Sequence, residues 1–349
     1  MIPSDFSALK GKKALITGAG GFIGRRLTAA LLAVGADVTH LARSRSDTAG
    51  VRIIQGDMAT PAIARTAVAG QDLIFNFAYD VRQSGDANLA AFNTLLQAAE
   101  AEGHARLIHA SSIVVYDDWP TGHLTEASPM NRPGGGPYRI AKIAMERRLM
   151  TSPLPVAILQ PTLVWGPGSA LWTDRFVDAL YGGGVVLPRP EGLCQAVHVE
   201  DLVQATLRAA LLPGLGQERF IVNGPAPFLW SDLIGGYRNL LGRGQIRHLP
   251  AEQLRPAAPA TTRPSGPGLA ARVSALGRRL LGHARFERLV RISRNLRPAG
   301  ELKPDVGLFA LYTAQGTCPP THAVERLGYR PVYDLEKGLA AMASPRPAP

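Results

Sequence analysis

Short runs of apolar residues alternate along the first half of the chain with longer stretches whose apolar positions recur at helical spacing. The first run, residues 12–17, is followed by such a stretch at 22–34, and this pattern predicts a strand, a glycine-rich turn and a helix. Further apolar runs follow at 37–42, 51–55, 73–78, 107–110 and 156–159. Repeated strand–helix units predict an α/β fold with a doubly wound, parallel Rossmann-type sheet and right-handed crossovers.

The regular alternation ends after Pro161. Segments rich in proline and glycine then alternate with isolated helical patterns at 201–212 and 230–241, which indicates a smaller C-terminal lobe that binds substrate. The predicted division is an NAD(P)-binding Rossmann domain at 1–160, completed by 194–222, and a substrate-binding lobe at 161–193 and 223–349.

The most basic part of the chain follows a Pro-rich loop at 255–268. Residues 269–297 carry eight arginines and one acid, Glu287, and so supply seven of the eleven net positive charges. Their apolar spacing predicts a basic helical insertion. One interpretation is a structural insertion with solvated arginines. The other is a surface that docks an acidic carrier protein or an anionic membrane.

Composition limits the class of protein. The chain has 349 residues and no apolar run of the ~18 residues that a membrane span requires. It reaches the first predicted strand without room for a signal peptide, and its two cysteines are too few for a disulfide framework or a zinc site. We therefore expect a cytoplasmic protein with reduced thiols and no metal. The charge of +11 fits anionic partners, but no nucleic-acid-binding motif is present.

A glycine-rich turn connects the first predicted strand to the first predicted helix. Its glycines are spaced G-x-x-G-x-x-G, and glycines at a helix start allow backbone N–H groups to approach a pyrophosphate. The residues predicted to contact a dinucleotide here are Gly18, Gly20, Gly21, Phe22, Ile23 and Gly24.

Two further residues bear on the choice of cofactor. Ala42 and Arg43 end the second predicted strand, where an NAD enzyme places an acid for the ribose 2′-hydroxyl. Because an arginine suits a 2′-phosphate, NADP(H) is favoured; if Arg43 is only an exposed strand-end residue, NAD(H) is the alternative. Asp57 ends the third strand, where it could accept a hydrogen bond from the adenine amino group or cap the following helix.

Tyr138 and Lys142 lie four residues apart on a predicted helix. Residues at this spacing project from one helical face. We therefore expect the Lys142 ammonium to lie near the Tyr138 phenol and to lower its pKa from about 10 towards neutrality. A phenol placed in this way can exchange a proton with a substrate oxygen.

Taken together, these motifs resemble the extended short-chain dehydrogenase/reductases, also called the NAD-dependent epimerase/dehydratase family. The resemblance covers about residues 12–245 and returns at 323–339. The residues that carry it, in order, are 17–24, 77–79, Asn88, 111–116, Tyr138 with Lys142, 161–168 and 198–201.

The resemblance implies roles for individual residues. Ser112 matches the serine that hydrogen-bonds the substrate oxygen, Tyr138 matches the general acid/base, and Lys142 also binds the nicotinamide ribose. Further cofactor contacts are implied for Met58, Phe77, Ala78, Tyr79, Tyr138, Pro161, Leu163 and Val164. Substrate contacts are predicted for Ser112, Ile113, Trp165 and His198.

Several positions depart from the family pattern. Members that dehydrate nucleotide sugars have acids directly after the catalytic Ser or Thr, whereas Ile113 and Val114 follow here, which argues against dehydration. Leu163 and Cys194 replace an asparagine and a diphosphate-binding arginine that nucleotide-sugar enzymes tend to carry. Arginines that could substitute are Arg175, Arg189 and Arg219.

The sequence thus favours an NAD(P)(H)-dependent oxidoreductase that transfers hydride between nicotinamide and a secondary alcohol or ketone, with reduction preferred. The substrate is expected to be a small molecule, sugar-like or another biosynthetic intermediate. A nucleotide-sugar epimerase is the alternative on the same fold, and a catalytically idle NADP-sensing or scaffold protein is the alternative of another class. We expect a homodimer and no nucleic-acid partner.

Overall fold

The computed structural model describes residues 4–44, 48–256 and 300–343. Its strands are β1 (Lys13–Thr17), β2 (Asp37–Ala42), β3 (Val51–Gln55), β4 (Leu73–Asn76), β5 (Arg106–Ala110), β6 (Val156–Pro161), β7 (Leu163–Trp165), β8 (Gly183–Arg189), β9 (Leu193–Cys194), β10 (Ala196–His198), β11 (Gln217–Val222), β12 (Phe228–Leu229), β13 (Gln245–Pro250) and β14 (Gly300–Leu302). Its helices are α1 (Phe22–Ala33), α2 (Pro61–Val68), α3 (Gly85–Glu102), α4 (Gly136–Leu149), α5 (Arg175–Gly182), α6 (Val199–Leu211), α7 (Trp230–Leu241) and α8 (Ala251–Leu254), with others at Val306–Thr313, Thr321–Leu327 and Leu335–Ala343.

Seven of these strands form one parallel sheet in the order β11-β6-β5-β4-β1-β2-β3. The sheet starts at the inner strand β1 and extends outward through β2 and β3. The chain then returns to β4, next to β1, and builds the other half of the sheet. This reversal next to β1 makes the sheet doubly wound, so the predicted Rossmann-type α/β fold is confirmed. The carboxyl ends of β1 and β4 meet at the reversal, where such folds bind their ligands.

Helices cover both faces of this sheet, which explains why its inner strands are continuous apolar runs. On one face, side chains of α1 and α6 such as Leu27 and Leu202 pack with Ile16 and Phe75. On the other face, Phe92 and further residues of α2, α3 and α4 pack with the alternate strand positions. Burying both faces fixes the sheet and therefore the loops at its carboxyl edge.

The chain divides into two compact units. Within the described residues, one unit contains everything up to Trp165, together with Gln195–Ala226 and Gly316–Asp334. The other contains Gly166–Cys194, the described part of 227–315 and the residues from Leu335 onward. The predicted division places 161–165, 223–226 and 316–334 in the substrate lobe, whereas all three fall in the first unit. Residues 316–334 belong with the Rossmann unit because Tyr333 N donates to Asp201 and the buried Tyr329 side chain packs in that core.

The second unit has its own small sheet and aromatic core. Strands β13, β8 and β14 pair in parallel, and Trp230 contacts Phe176 and Tyr312 through its ring. The basic segment 269–297 and most of the Pro-rich loop lie outside the described residues. Among the helices that the structure does describe, none is both long and apolar enough to cross a membrane.

Candidate active site

The glycine-rich turn between β1 and α1 has no room for a side chain at two of its glycines, Gly18 and Gly24. Gly18 has a φ of +74°, and a Cβ there would lie 2.6 Å from the Phe77 carbonyl carbon. At Gly24 a Cβ would lie 2.3 Å from the Gly18 carbonyl oxygen. Helix α1 begins at this turn without a side-chain cap, so its first N–H groups are available to an anion. The turn therefore has the shape and polarity that a pyrophosphate requires.

A cleft of about 400 Å³ opens beside this turn, at the carboxyl ends of β1, β2, β3 and β4. It contains nine residues that the sequence predicts as cofactor contacts: Gly18, Gly20, Gly21, Arg43, Asp57, Met58, Phe77, Ala78 and Tyr79. The other predicted contacts are not among its lining residues and stay predictions: Phe22, Ile23, Gly24, Tyr138, Lys142, Pro161, Leu163 and Val164. A cradle that a Cβ would fill, next to a cleft at the reversal point, fits a nicotinamide dinucleotide.

Charged side chains stand at this cleft. The Arg43 side chain is 52% exposed, and its Nη1 donates to Asp80 Oδ2 at 2.7 Å. The Asp57 carboxylate accepts from Ala59 N at 2.8 Å, so it caps the turn before α2 while also lining the cleft. Sequence reasoning did not find Asp80, because its pairing with Arg43 joins positions far apart in the chain.

Ser112, Tyr138 and Lys142 are brought together by β5 and α4. Tyr138 lies in the first turn of α4 and Ser112 directly follows the loop from β5, and a hydrogen bond links their side chains. Lys142 is buried one helical turn further on, with Nζ donating to Ala110 O at 2.5 Å and lying 5.9 Å from the Tyr138 ring centroid. Tyr79 of the cleft packs edge-to-face on Tyr138 at 4.8 Å. The predicted three residues thus form one cluster beside the cofactor cleft.

Burial dominates the proton affinities in this cluster. It raises the pKa of Tyr138 to about 12, although the hydrogen bond with Ser112 lowers it in part. Burial also lowers the pKa of Lys142 to about 8, against the charge of Glu146, which raises it. The expectation that Lys142 draws the pKa of Tyr138 towards neutrality is therefore wrong for the cofactor-free protein. Desolvation favours the neutral form of both groups and outweighs their proximity.

A buried polar network surrounds Glu146, which lies one helical turn after Lys142 on α4. Glu146, four residues later on α4, is fully buried and accepts from Ser111 Oγ at 2.5 Å, from Gln160 Nε2 at 3.0 Å and from Arg219 Nε at 2.8 Å. Ser111 therefore has a structural contact, whereas its neighbour Ser112 faces Tyr138. Sequence reasoning missed Glu146, although its spacing of four from Lys142 is a signal that could have found it.

A second polar chain runs beneath the cleft across three strands. Thr17 Oγ1 donates to Asn76 Oδ1 at 2.7 Å, and Asn76 Nδ2 lies 3.0 Å from His109 Nδ1. Burial, with a smaller contribution from the charge of Lys142, lowers the pKa of His109 well below its ordinary value. A neutral imidazole with Nδ1 as acceptor fixes the Asn76 amide and ties the end of β4 to β1 and β5.

Three of the four residues predicted to contact substrate, Ile113, Trp165 and His198, are deeply buried, whereas Ser112 is half-buried. Ile113 lies in the core beside Tyr116, and Trp165 is fully buried with its ring edge-to-face on His198 at 5.1 Å. His198 accepts from Glu200 N at the start of α6 and stacks on Tyr333 at 4.3 Å. These contacts are structural, and substrate binding by the three residues stays a prediction.

Most of the groups considered for a substrate diphosphate are buried or paired. Cys194 is fully buried, and burial raises its pKa well above the ordinary value. Arg219 is engaged by Glu146, and Arg175 pairs with Asp305 at 3.2 Å. Arg189 is exposed. Among the described residues, no cluster of three or more His, Cys, Asp and Glu side chains could hold a metal ion.

Comparison with known proteins agrees with this fold. The family model for the NAD dependent epimerase/dehydratase family matches residues 14–223. The chain belongs to this family, and it is an NAD(P)-dependent enzyme of the extended short-chain dehydrogenase/reductase type. The resemblance read from the sequence motifs is thereby confirmed.

Individual relatives include both reductases and dehydratases. A 2-alkyl-3-oxoalkanoate reductase from Stenotrophomonas maltophilia is 29% identical over 237 residues, which cover 62% of this chain and 72% of that protein. The 4-hydroxy-2-methyl-3-oxo-4-farnesyl-3,4-dihydroquinoline-1-oxide ketoreductase of Stigmatella aurantiaca is 26% identical over 269 residues, 70% of this chain and 78% of that protein. The structure of dTDP-glucose 4,6-dehydratase from Bacillus anthracis in complex with NAD superposes with a TM-score of 0.67, at 18% identity over 95% of each chain.

Proposed function

We propose that this enzyme is an NADP(H)-dependent ketoreductase that reduces a ketone of a small biosynthetic intermediate to a secondary alcohol. The observation that carries the proposal is the cluster of Ser112, Tyr138 and Lys142 beside the cleft, with the Tyr138 phenol held in its protonated form. A protonated phenol that is hydrogen-bonded to a serine is suited to donate a proton to a carbonyl oxygen.

The side chains divide the work of the reaction. When bound, the nicotinamide supplies the hydride. Ser112 and Tyr138 hold the ketone oxygen between two hydroxyl groups, and the Tyr138 O–H donates the proton that this oxygen needs as it becomes an alcohol. Lys142 keeps a positive charge below pH ~8 and, in the buried cluster, favours negative charge that develops on that oxygen.

The proposed substrate is a 3-oxo compound. Two relatives in the comparison are named for reductions of 3-oxo compounds, which supports this class. Ile113 and Val114 offer no acid or base for the elimination of water. The buried thiol of Cys194 and the ion pair of Arg219 give no support to the binding of a nucleotide diphosphate. These observations favour reduction of a ketone over epimerisation of a nucleotide sugar.

The proposed preference for NADP(H) rests on Arg43. Its guanidinium stands at the end of β2 and lines the cleft, and an arginine at this position suits a 2′-phosphate. Titration of the wild type with NADPH and NADH tests this preference, since a higher affinity for NADH would show that Arg43 serves another role.

The test of the proposed activity compares three proteins. Wild type, Tyr138→Phe and Tyr79→Phe are mixed with reduced cofactor and a panel of 3-oxo acids, other ketones and nucleotide sugars, and loss of the reduced nicotinamide absorbance is followed. Tyr138→Phe should retain cofactor affinity but lower turnover by about 10²-fold or more, because it removes the proton donor. Tyr79→Phe removes a neighbouring hydroxyl while keeping the ring contact, and should change turnover only a few-fold.

Two results would contradict the proposal. Turnover of Tyr138→Phe close to that of the wild type would remove Tyr138 from its role. Tightly retained NAD(H), together with conversion of nucleotide sugars and no net consumption of cofactor, would identify an epimerase instead.

A further inference from the structure

The cofactor cleft contains a carboxylate that the sequence analysis did not assign. Asp80 follows β4, its side chain is only 14% exposed, and it lines the same cleft as Arg43. Both of its oxygens accept from arginines. Oδ2 accepts from Arg43 Nη1 at 2.7 Å and from Arg82 Nη2 at 2.9 Å, while Oδ1 accepts from Arg82 Nε at 2.8 Å.

Contacts other than those of the two guanidinium groups also hold Asp80 in place. Asn88 clasps the residue, since its Oδ1 accepts from Asp80 N at 2.8 Å and its Nδ2 donates to Asp80 O at 3.0 Å. Arg82 N also donates to Asp80 Oδ1 at 3.0 Å. The negative charge is therefore fixed at the cleft, whereas the Arg43 side chain is half exposed and can exchange partners.

We propose that Asp80 is a cofactor-specificity residue that competes with the 2′-phosphate of NADP(H) for the guanidinium of Arg43. The inference rests on the NADP(H) preference proposed above. To bind the phosphate fully, Arg43 must loosen a short charge-assisted hydrogen bond, and the phosphate must approach a fixed carboxylate of the same sign. NAD(H) has a 2′-hydroxyl at this position and meets neither cost. Asp80 thus reduces the discrimination between the two cofactors.

Arg82 moderates this competition. Its guanidinium binds both Asp80 oxygens and offsets part of the negative charge that Arg43 would otherwise neutralise alone. Without Arg82, Asp80 should hold Arg43 more tightly. The two arginines therefore have different effects, although both contact one carboxylate: Arg43 binds the phosphate, and Arg82 helps to release Arg43 for it.

The experiment measures the dissociation constants of NADPH and NADH by calorimetric titration, without turnover. Asp80→Asn removes the charge but keeps an oxygen that can accept from Arg82 N. It should tighten NADPH binding about 10-fold, change NADH binding less than about twofold, and so raise the preference for NADPH about 10-fold. Arg82→Gln should shift the preference a few-fold towards NADH. A preference that stays within about twofold of wild type in Asp80→Asn, or moves towards NADH, overturns the proposal.

A double-mutant cycle identifies Arg43 as the intermediary. In an Arg43→Gln background, Asp80→Asn should change the ratio of the two dissociation constants clearly less than in the wild-type background, because only the repulsion between Asp80 and the phosphate remains to be relieved. An undiminished effect in that background would overturn the competition for Arg43. Failure of the proposed function has a different signature. Wild type would then bind neither cofactor, or wild type and Asp80→Asn would both prefer NADH. Thermal unfolding of each variant establishes that the titrated protein is folded.

Discussion

Replacement of Lys142 by methionine tests the electrostatics of the active site through folding stability. Burial lowers the pKa of Lys142 from an ordinary value of 10.5 to about 8, with Glu146 opposing in part, and the residue is only 3% exposed. The unfolded chain therefore keeps a proton on this amine at pH values where the folded protein has released it. An active-site charge of this kind lowers the stability of the fold.

The sign and size of the effect follow from proton linkage. Between pH 8 and 10.5 the unfolded state binds more protons, so the free energy of unfolding of wild type rises with pH in this range. The full unfavourable contribution, roughly 3 kcal/mol, is present below pH ~8 and disappears above pH ~10.5. About 2 kcal/mol of it is relieved between pH ~6.5 and ~9.5. Lys142→Met lacks this titration.

Urea unfolding of both cofactor-free proteins at pH ~6.5 and ~9.5 gives the comparison. The stability of Lys142→Met relative to wild type should be about 2 kcal/mol higher at the lower pH than at the higher pH. The lost hydrogen bond to Ala110 shifts both values equally and cancels. Lys10→Met, at an exposed position, controls for the loss of one surface charge. A relative stability that is constant within about 0.5 kcal/mol would refute the reasoning.

Two further substitutions test the supports of the site. Glu146→Ala leaves the Arg219 guanidinium and two buried donors without their acceptor, and it should lower the free energy of unfolding in urea by about 3–5 kcal/mol. Glu146→Gln should cost clearly less. An alanine variant within about 1 kcal/mol of wild type would contradict this prediction. Gly18→Ala should weaken NADPH binding at least about 10-fold in calorimetric titration, because its Cβ would meet the Phe77 carbonyl. Gly70→Ala, which shares a positive φ but has open space around it, should bind NADPH as wild type does.

The inner strands of the central sheet are predictable from sequence because they are buried on both faces and form local apolar runs. β2 and β3 have the predicted bounds, and β1 and β5 differ from prediction by one residue at one end. The edge strand β11 is not signalled in this way, since it begins with the polar residues Gln217, Glu218 and Arg219. Their partners, Glu146 for Arg219 and Arg326 for Glu218, are distant in sequence, so only the fold shows that these residues are satisfied within a strand.

In the candidate site, too, some features are local in the sequence and others depend on the fold. The glycine turn and the pairing of Tyr138 with Lys142 depend on spacings within one element, which the sequence displays directly. The ion pair of Arg43 with Asp80 and the hydrogen bond of Ser112 with Tyr138 join different elements. Such contacts depend on strand order, and strand order is not contained in any local spacing.

The sign of a pKa shift is harder still to obtain from sequence, and Tyr138 shows why. A spacing of four places a cation near the phenol, and by itself this lowers the pKa. The fold also desolvates both groups, Lys142 almost completely and Tyr138 in part, since Tyr138 stays 38% exposed. This raises the pKa of Tyr138 to about 12 and lowers that of Lys142 to about 8. At neutral pH the result is a protonated phenol beside a protonated amine. That state already carries the proton that reduction of a ketone consumes, whereas oxidation of an alcohol would first require Tyr138 to lose it. Burial outweighs the effect of the nearby Lys142 charge on the pKa of Tyr138, and it thereby favours the proposed reduction of a ketone.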